Sequence, residues 1–79
     1  MHLEIVTTQS SVYSGDIDLL VAPGVEGMLG ILPRHAPLIT ALNSGNVVIR
    51  KNGIDEEIMI GGGFLEVTAN SDVTILANS

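Results

Sequence analysis

Short runs of alternating apolar and polar residues, separated by turn-forming residues, follow one another along almost the whole chain. The first run, residues 2–7, places Leu3 and Ile5 on one face and is rich in β-branched side chains, which favours a half-buried strand. No window has helical periodicity. Strands recurring every ~8–12 residues predict an all-β domain, a β-sandwich or small barrel. Further strands are predicted at 12–14, 17–22, 28–31, 38–42, 46–51, 54–60, 64–69 and 73–77.

Turn-forming residues set the boundaries between these strands. Asn52-Gly53 lies between two strand patterns and is the strongest hairpin signal in the chain. We expect further turns at Gly15-Asp16, Pro23-Gly24 and Asn43-Ser44-Gly45. Gly61-Gly62-Gly63 is expected to interrupt the strand pattern.

Three strands carry additional information about burial. The pattern in 17–22 becomes continuously apolar, which predicts that its far end is covered on both faces. The charges of Asp55-Glu56-Glu57 favour a solvated or edge strand. After the triple glycine, alternation places Leu65, Val67 and Ala69 on one face and Phe64, Glu66 and Thr68 on the other.

Composition narrows the class of protein. Seventy-nine residues make a single domain, residues 1–79, and 46% apolar residues are sufficient for a core. The net charge of −6, with only Arg34, Arg50 and Lys51 as strong bases, argues against nucleic acid binding and against a polybasic membrane anchor. No apolar run approaches the ~20 residues of a membrane span, so we expect no direct insertion into lipid. Because the strand pattern begins at residue 2, we expect no signal peptide.

The residues do not predict an active site. The spacing of Gly24, Gly27 and Gly30 is not that of a phosphate-binding loop, and it favours tight turns instead. His2 and His35 are far apart in sequence and cysteine is absent, so no metal ligands are predicted. No serine lies in a strand-turn-helix elbow. We therefore predict no catalytic residue, no cofactor and no metal.

Lys51 supports an alternative hypothesis. Lipoyl and biotinyl carrier domains are β-sandwiches of similar size that carry a modified lysine at a hairpin tip, and Lys51 directly precedes the predicted Asn52-Gly53 turn. Its neighbours Arg50 and Asn52 differ from the residues usual around that lysine. A carrier domain modified at Lys51 therefore stays open as the second interpretation.

Several segments of the chain closely resemble the epsilon subunit family of F-type ATP synthases. The most specific is Leu-Gly-Ile-Leu-Pro-Arg-His-Ala-Pro-Leu at 29–38. Others follow in the order and spacing of the family: His-Leu-Glu-Ile-Val at 2–6, Tyr-Ser-Gly at 13–15, Pro-Gly-Val-Glu-Gly at 23–27, Gly-Gly-Phe-Leu-Glu-Val at 62–67 and Val-Thr-Ile-Leu-Ala at 73–77. The resemblance covers almost the whole chain.

The resemblance implies that the domain is a flattened antiparallel β-sandwich. It also implies a non-catalytic rotor subunit of the central stalk, on the cytoplasmic side of the bacterial inner membrane. It implies two partners, the gamma subunit and the ring of c subunits, and a role in coupling proton transport to ATP synthesis. The implied c-ring contacts are Glu26, Gly27, Met28 and Leu29. Met28 replaces an acidic residue of some members, which favours an apolar contact there. The implied gamma contacts are Thr7, Arg34, His35, Pro37 and Thr40.

Most members of this family carry a two-helix domain after the last strand. Since the sequence stops at Ser79, we expect that domain to be absent. In some members the helices restrain ATP hydrolysis or bind ATP. Neither property is therefore expected of these 79 residues.

Overall fold

The structure, a computed structural model, describes residues 1–78. Within these residues the chain forms strands and connections and no helix, so the all-β prediction is confirmed. The strands are β1 (His2–Val6), β2 (Ser11–Asp16), β3 (Leu19–Gly24), β4 (Gly27–Ile31), β5 (Leu38–Lys51), β6 (Ile54–Val67) and β7 (Val73–Ala77).

The strands follow the order β2-β1-β7-β6-β5-β3-β4 in one hydrogen-bonded sheet. Five neighbouring pairs are antiparallel. The β1–β7 pair is parallel, with Leu3 opposite Val73 and Ile5 opposite Ile75, so the sheet is mixed and not purely antiparallel. Parallel pairing is possible because the whole intervening chain serves as the crossover between these two strands.

The long hairpin of β5 and β6 makes the sheet fold over on itself. Each strand has 14 residues. A straight strand of that length would measure roughly 46 Å, whereas the longest extent of the molecule is 26 Å. Both strands must therefore bend. The predicted turn at Asn43-Ser44-Gly45 and the predicted interruption at Gly61-Gly62-Gly63 are both wrong, because the strands bend there without ending.

Glycine is required where β6 bends. Gly62 and Gly63 have φ angles of 93° and 143°, a region that residues with a side chain rarely adopt. A Cβ atom on Gly63 would overlap the Leu76 carbonyl oxygen of β7, and one on Gly62 would lie 3.1 Å from the Leu42 carbonyl oxygen of β5. The triple glycine thus lets the sheet turn a corner while its neighbours stay close.

The bend divides the sheet into two layers around one core. One layer, which we call the β7 layer, contains β2, β1, β7 and residues 63–67 of β6 with 38–42 of β5. The other contains β3, β4 and the remaining halves of the long strands. Buried aliphatic side chains of both layers form a single cluster, including Leu3, Ile5, Leu65 and Ile75 from the first layer and Leu20, Ile31, Val47 and Ile49 from the second. This is the predicted sandwich.

Two shorter turns and one burial pattern differ from the sequence predictions. Gly15-Asp16 lies inside β2, opposite Leu3 and His2, and is not a turn. Pro23-Gly24 ends β3, and the turn itself is two positions later at 25–26. Residues of β3 are buried alternately, so the predicted coverage of its far end on both faces is wrong. The apolar residues at Val21 and Pro23 are half-buried on the outer face.

The Asn52-Gly53 hairpin is confirmed, with positive φ angles of 53° and 77°. Its tip is held by the Asn52 amide, which donates to Asp18 Oδ2 over 2.8 Å. Beside it, Arg50 donates two hydrogen bonds to Asp55, of 2.7 and 3.1 Å, and this contact lowers the pKa of the Asp55 carboxyl. In this half of β6 the described pairing is with β5 alone, so the prediction of a charged edge is confirmed.

Candidate interaction surfaces

The turn between β3 and β4 forms an exposed corner of the molecule. Glu26 and Gly27 are exposed, and Gly27 has a φ of 133°. The Met28 side chain is 64% exposed although it lies in a strand. Leu29 points the other way and packs against the core. Of the four predicted c-ring residues, the structure therefore presents three to solvent and uses the fourth for packing.

Two features hold this corner in place. A Cβ atom on Gly24 would lie 2.6 Å from the Gly27 carbonyl oxygen, so the two strands approach more closely than any side chain at position 24 allows. The Val25 amide donates to the Ala41 carbonyl oxygen of β5 over 3.1 Å. The turn is therefore attached to the β5 segment that also carries Thr40.

Residues 32–37 form a compact loop that enters β5. The His35 amide donates to the Leu32 carbonyl oxygen over 3.1 Å, with Pro33 and Arg34 as the central residues of the turn. Arg34 has a φ of 70°, which together with Pro33 is typical of a type II turn, where glycine or asparagine is the usual third residue. The Arg34 side chain is exposed and has no ion pair among the described residues. His35 is half-buried, with Nδ1 2.8 Å from the Ala36 carbonyl oxygen.

The predicted gamma residues do not form one cluster. Arg34, His35 and Pro37 share the loop before β5, and Thr40 follows within that strand. Thr7 lies just after β1, where its hydroxyl accepts the amides of Gln9 and Ser10 over 3.2 Å each. Because β7 and β6 separate β1 from β5, these two sites are about 14 Å apart across the sheet.

The sequence prediction of contact residues missed an apolar group on the outer face of the β7 layer. Ile39, Phe64 and Leu76 are large apolar side chains that are 73%, 58% and 57% exposed. The register places Phe64 opposite Leu76, and Ile39 opposite Glu66 beside it. The alternation in 64–69 already assigned Phe64 to the face opposite Leu65, so a signal was present in the sequence.

The described residues offer little for catalysis. A groove of about 470 Å³ between the β1–β2 connection and the bend of β6 is lined by Thr7, Ser10, Ser44, Met59 and Asn78 among others, and none of its side chains is ionisable. Among residues 1–78, no three His, Asp or Glu side chains converge as a metal site would need. Nor does this part of the chain contain a helix long and apolar enough to cross a membrane.

Two solved structures with the same fold are chains of ATP synthases. A chain of the Euglena gracilis mitochondrial ATP synthase (OSCP/F1/c-ring) superposes with a TM-score of 0.89 at 21% identity, covering 95% of this chain and 48% of that chain. A chain from the central stalk and c-ring structure of the Tetrahymena thermophila mitochondrial ATP synthase gives 0.86 at 18% identity, covering 99% and 63%. At these identities the likeness establishes the fold.

Sequence comparison is more specific. The ATP synthase epsilon chain of Pelotomaculum thermopropionicum is 54% identical over 78 residues, which are 99% of this chain and 58% of that protein. The epsilon chain of a Roseiflexus species is 51% identical over 79 residues, which are 100% and 56%. The chain thus spans less than two thirds of these relatives. The model of the ATP synthase delta/epsilon chain β-sandwich domain matches residues 1–79, and the chain belongs to that family.

Proposed function

We propose that this domain is a non-catalytic coupling subunit of the central stalk of an F-type ATP synthase. The observation that carries the proposal is the family match over all 79 residues. In this role the domain binds the gamma subunit and rests on the c-ring, so that proton transport stays coupled to ATP synthesis. The complex lies at the membrane, and we place the domain on the cytoplasmic side of the bacterial inner membrane.

The exposed corner at Glu26, Gly27 and Met28 suits the contact with the ring. It projects from a turn whose shape is fixed by the close approach of Gly24 to Gly27. The exposed thioether of Met28 favours an apolar contact there. Thr7, Arg34, His35, Pro37 and Thr40 are the residues that we propose for the gamma side.

Affinity capture tests the proposal. The tagged chain is expressed in cells of its own organism, membranes are solubilised, and captured proteins are identified by mass spectrometry. We expect the gamma subunit and the c subunit together with the tagged chain. If neither is retained while the domain is folded, the proposed role is wrong.

Arg34 provides a prediction that separates binding from folding. We expect Arg34→Asn to leave the unfolding midpoint unchanged, because asparagine tolerates the positive φ of this turn. Affinity for gamma is expected to fall by about three- to tenfold, as is usual when one charge at an interface is removed. Binding to purified gamma is measured by calorimetry.

Lys51→Asn is the matched control for this variant. Like Arg34→Asn, it removes one positive charge, but from the exposed end of β5 next to the Asn52-Gly53 tip. We expect gamma to bind this variant as it binds the wild type. Equal losses in both variants would mean that only net charge matters and that Arg34 makes no specific contact.

The carrier hypothesis has one structural observation in its favour, since Lys51 is exposed and lies beside the hairpin tip. The family match gives no support to it. Intact mass spectrometry of protein co-expressed with lipoyl and biotinyl ligases decides the matter, and we expect the unmodified mass.

A further inference from the structure

Asn52 and Gly53, at the tip of the β5–β6 hairpin, carry the two groups that react in an intramolecular deamidation. The side-chain amide carbon of Asn52 is the electrophile, and the backbone nitrogen of Gly53 is the nucleophile that closes a succinimide ring on it. Glycine leaves this nitrogen unhindered because it has no side chain. The other asparagines of the chain all precede serine or valine, and they are Asn43, Asn46, Asn70 and Asn78.

Neither reacting group is engaged in the folded domain. Both residues are exposed, so water reaches the tip. Among the described residues, the Gly53 N–H and the side-chain amide of Asn52 form no hydrogen bond. Asn46, by contrast, lies inside β5 and donates its side-chain amide to Glu57 Oε1 over 3.2 Å. The tip therefore combines a reactive dipeptide with amides that no neighbour restrains.

The folded turn nevertheless keeps the two groups apart. Positive φ angles of 53° and 77° at its central residues are those of a type I′ turn. In that turn, ψ of the first central residue is about +30°, the mirror image of type I. At this ψ the Cβ atom of Asn52 is nearly trans to the Gly53 nitrogen about the Cα–C bond, whereas the succinimide ring requires these atoms to be nearly cis. Ring closure therefore requires the tip to open.

Asp18 is the residue that holds the tip closed from outside the hairpin. Its Oδ2 accepts the Asn52 amide over 2.8 Å, and its own amide donates to the Arg50 carbonyl oxygen over 2.8 Å. Other restraints are weak, because residues 51–57 are exposed and the Arg50–Asp55 ion pair lies at the surface, where such pairs add little stability. Opening of this segment is therefore expected to cost much less free energy than global unfolding.

From these contacts we infer that Asn52 is a site of spontaneous deamidation and that Asp18 is the latch that slows the reaction. In the open tip, the Gly53 nitrogen loses its proton and bonds to Cγ of Asn52, and the bond from Cγ to the amide nitrogen breaks as ammonia leaves. Water then opens the succinimide at either carbonyl and yields aspartate or isoaspartate, without an oxidant or a reductant. This inference is independent of the proposed function, because the reaction involves only this chain and water.

The products no longer fit the turn. Either product adds one negative charge to a chain whose net charge is −6, on the residue that the Asp18 carboxylate contacts. Isoaspartate also adds one carbon atom to the main chain between Lys51 and Ile54, which pair across the tip. The isoaspartate form is therefore expected to keep the tip open. The added charge allows ion exchange to separate modified from unmodified molecules.

Peptide mass mapping of the purified chain, after incubation at neutral and at mildly alkaline pH, tests the site. We expect Asn52 to be converted first, about tenfold faster than Asn70, which lies in another exposed turn but precedes serine. The rate is expected to rise with pH because the backbone nitrogen must lose its proton. Electron-transfer fragmentation distinguishes isoaspartate from aspartate. If Asn70 is converted as fast as Asn52, the assignment of the site is wrong.

Two variants test the latch. Asp18→Ala removes the acceptor of the Asn52 amide but keeps the backbone bond to Arg50. It is expected to raise the rate at Asn52 about three- to tenfold, the effect of losing one exposed hydrogen bond on the opening equilibrium. Asp16→Ala is the matched control, because it removes the same charge from a side chain that contacts His2 and not the tip. If both variants react at the wild-type rate, Asp18 is not a latch.

Urea provides a test that does not depend on how a variant folds. In concentrated urea the turn is absent, so wild-type Asn52 is expected to react faster than in the folded chain, and Asp18→Ala without urea is expected to lie between these two rates. Equal rates for the folded and the unfolded wild type would overturn the inference that the closed tip protects Asn52.

Discussion

Replacing Gly63 with alanine is expected to destabilise the domain by about 4 kcal/mol or more. The methyl group would overlap the Leu76 carbonyl oxygen of β7, and the residue would be held at a φ of 143°. Overpacking and a strained backbone each cost about 1–3 kcal/mol. A domain of this size has a total stability of roughly 4–12 kcal/mol. Urea unfolding followed by circular dichroism measures the loss, and much of the variant is expected to be unfolded in water.

Gly30→Ala is the control for this prediction. A Cβ atom on Gly30 meets nothing within 4 Å, and its φ is not in the positive region. Alanine in a strand also loses less entropy on folding than glycine, so the change is expected to be below about 1 kcal/mol. If Gly63→Ala were as stable as Gly30→Ala, the bend of β6 would not require glycine and the described approach of β7 would be wrong.

Leu65→Ala is expected to reduce the free energy of unfolding by about 2–5 kcal/mol, the cost of a cavity at a fully buried position. Leu65 has no exposed surface and lies opposite Thr40 of β5 and Ile75 of β7, in the centre of the β7 layer. Denaturant unfolding measures the loss. The dependence of the unfolding free energy on denaturant concentration (the m value) is expected to be unchanged. Under the proposed function, gamma binding per folded molecule is expected to persist, because the residues proposed for the gamma side are unchanged.

A substitution at Phe64, the neighbour of Leu65, is expected to have little effect on stability. Phe64→Ala removes a larger side chain, but one that is mostly exposed, so we expect its unfolding free energy to change by less than about 1 kcal/mol. Similar losses of stability in Leu65→Ala and Phe64→Ala would contradict the assignment of these two residues to opposite faces of β6.

Local patterns were sufficient to locate most of the extended segments and the residues that face the core. Leu3, Ile5, Leu65 and Val67 are buried as their alternation predicted, and Asn52-Gly53 forms the expected hairpin. The bends were not predictable in this way. Gly61-Gly62-Gly63 looks like an interruption because glycine weakens a strand by itself. Only the close approach of Gly62 to Leu42 of β5 and of Gly63 to Leu76 of β7 shows that the strand continues. A local pattern does not contain these contacts.

Some of the candidate surfaces could be predicted from local sequence signals, and one could not. The exposed turn at Glu26 and Gly27 and the rigid loop at Arg34 could be identified from local signals and from the resemblance to a family. The exposed apolar group of Ile39, Phe64 and Leu76 could not be identified as a group, because its members come from three strands and are aligned only by register. The parallel pairing of β1 with β7 has no local signature, and without it Val6 and Leu76 would not be neighbours.

That parallel pair makes the outer face of the β7 layer depend on long-range folding. Val6 and Leu76 lie near opposite ends of this sequence, yet they are neighbours in register. Contacts so distant in sequence form slowly in folding. The face that carries Phe64 and Leu76 is thus complete only when β7 has docked between β1 and β6, so any partner that contacts both residues selects folded molecules.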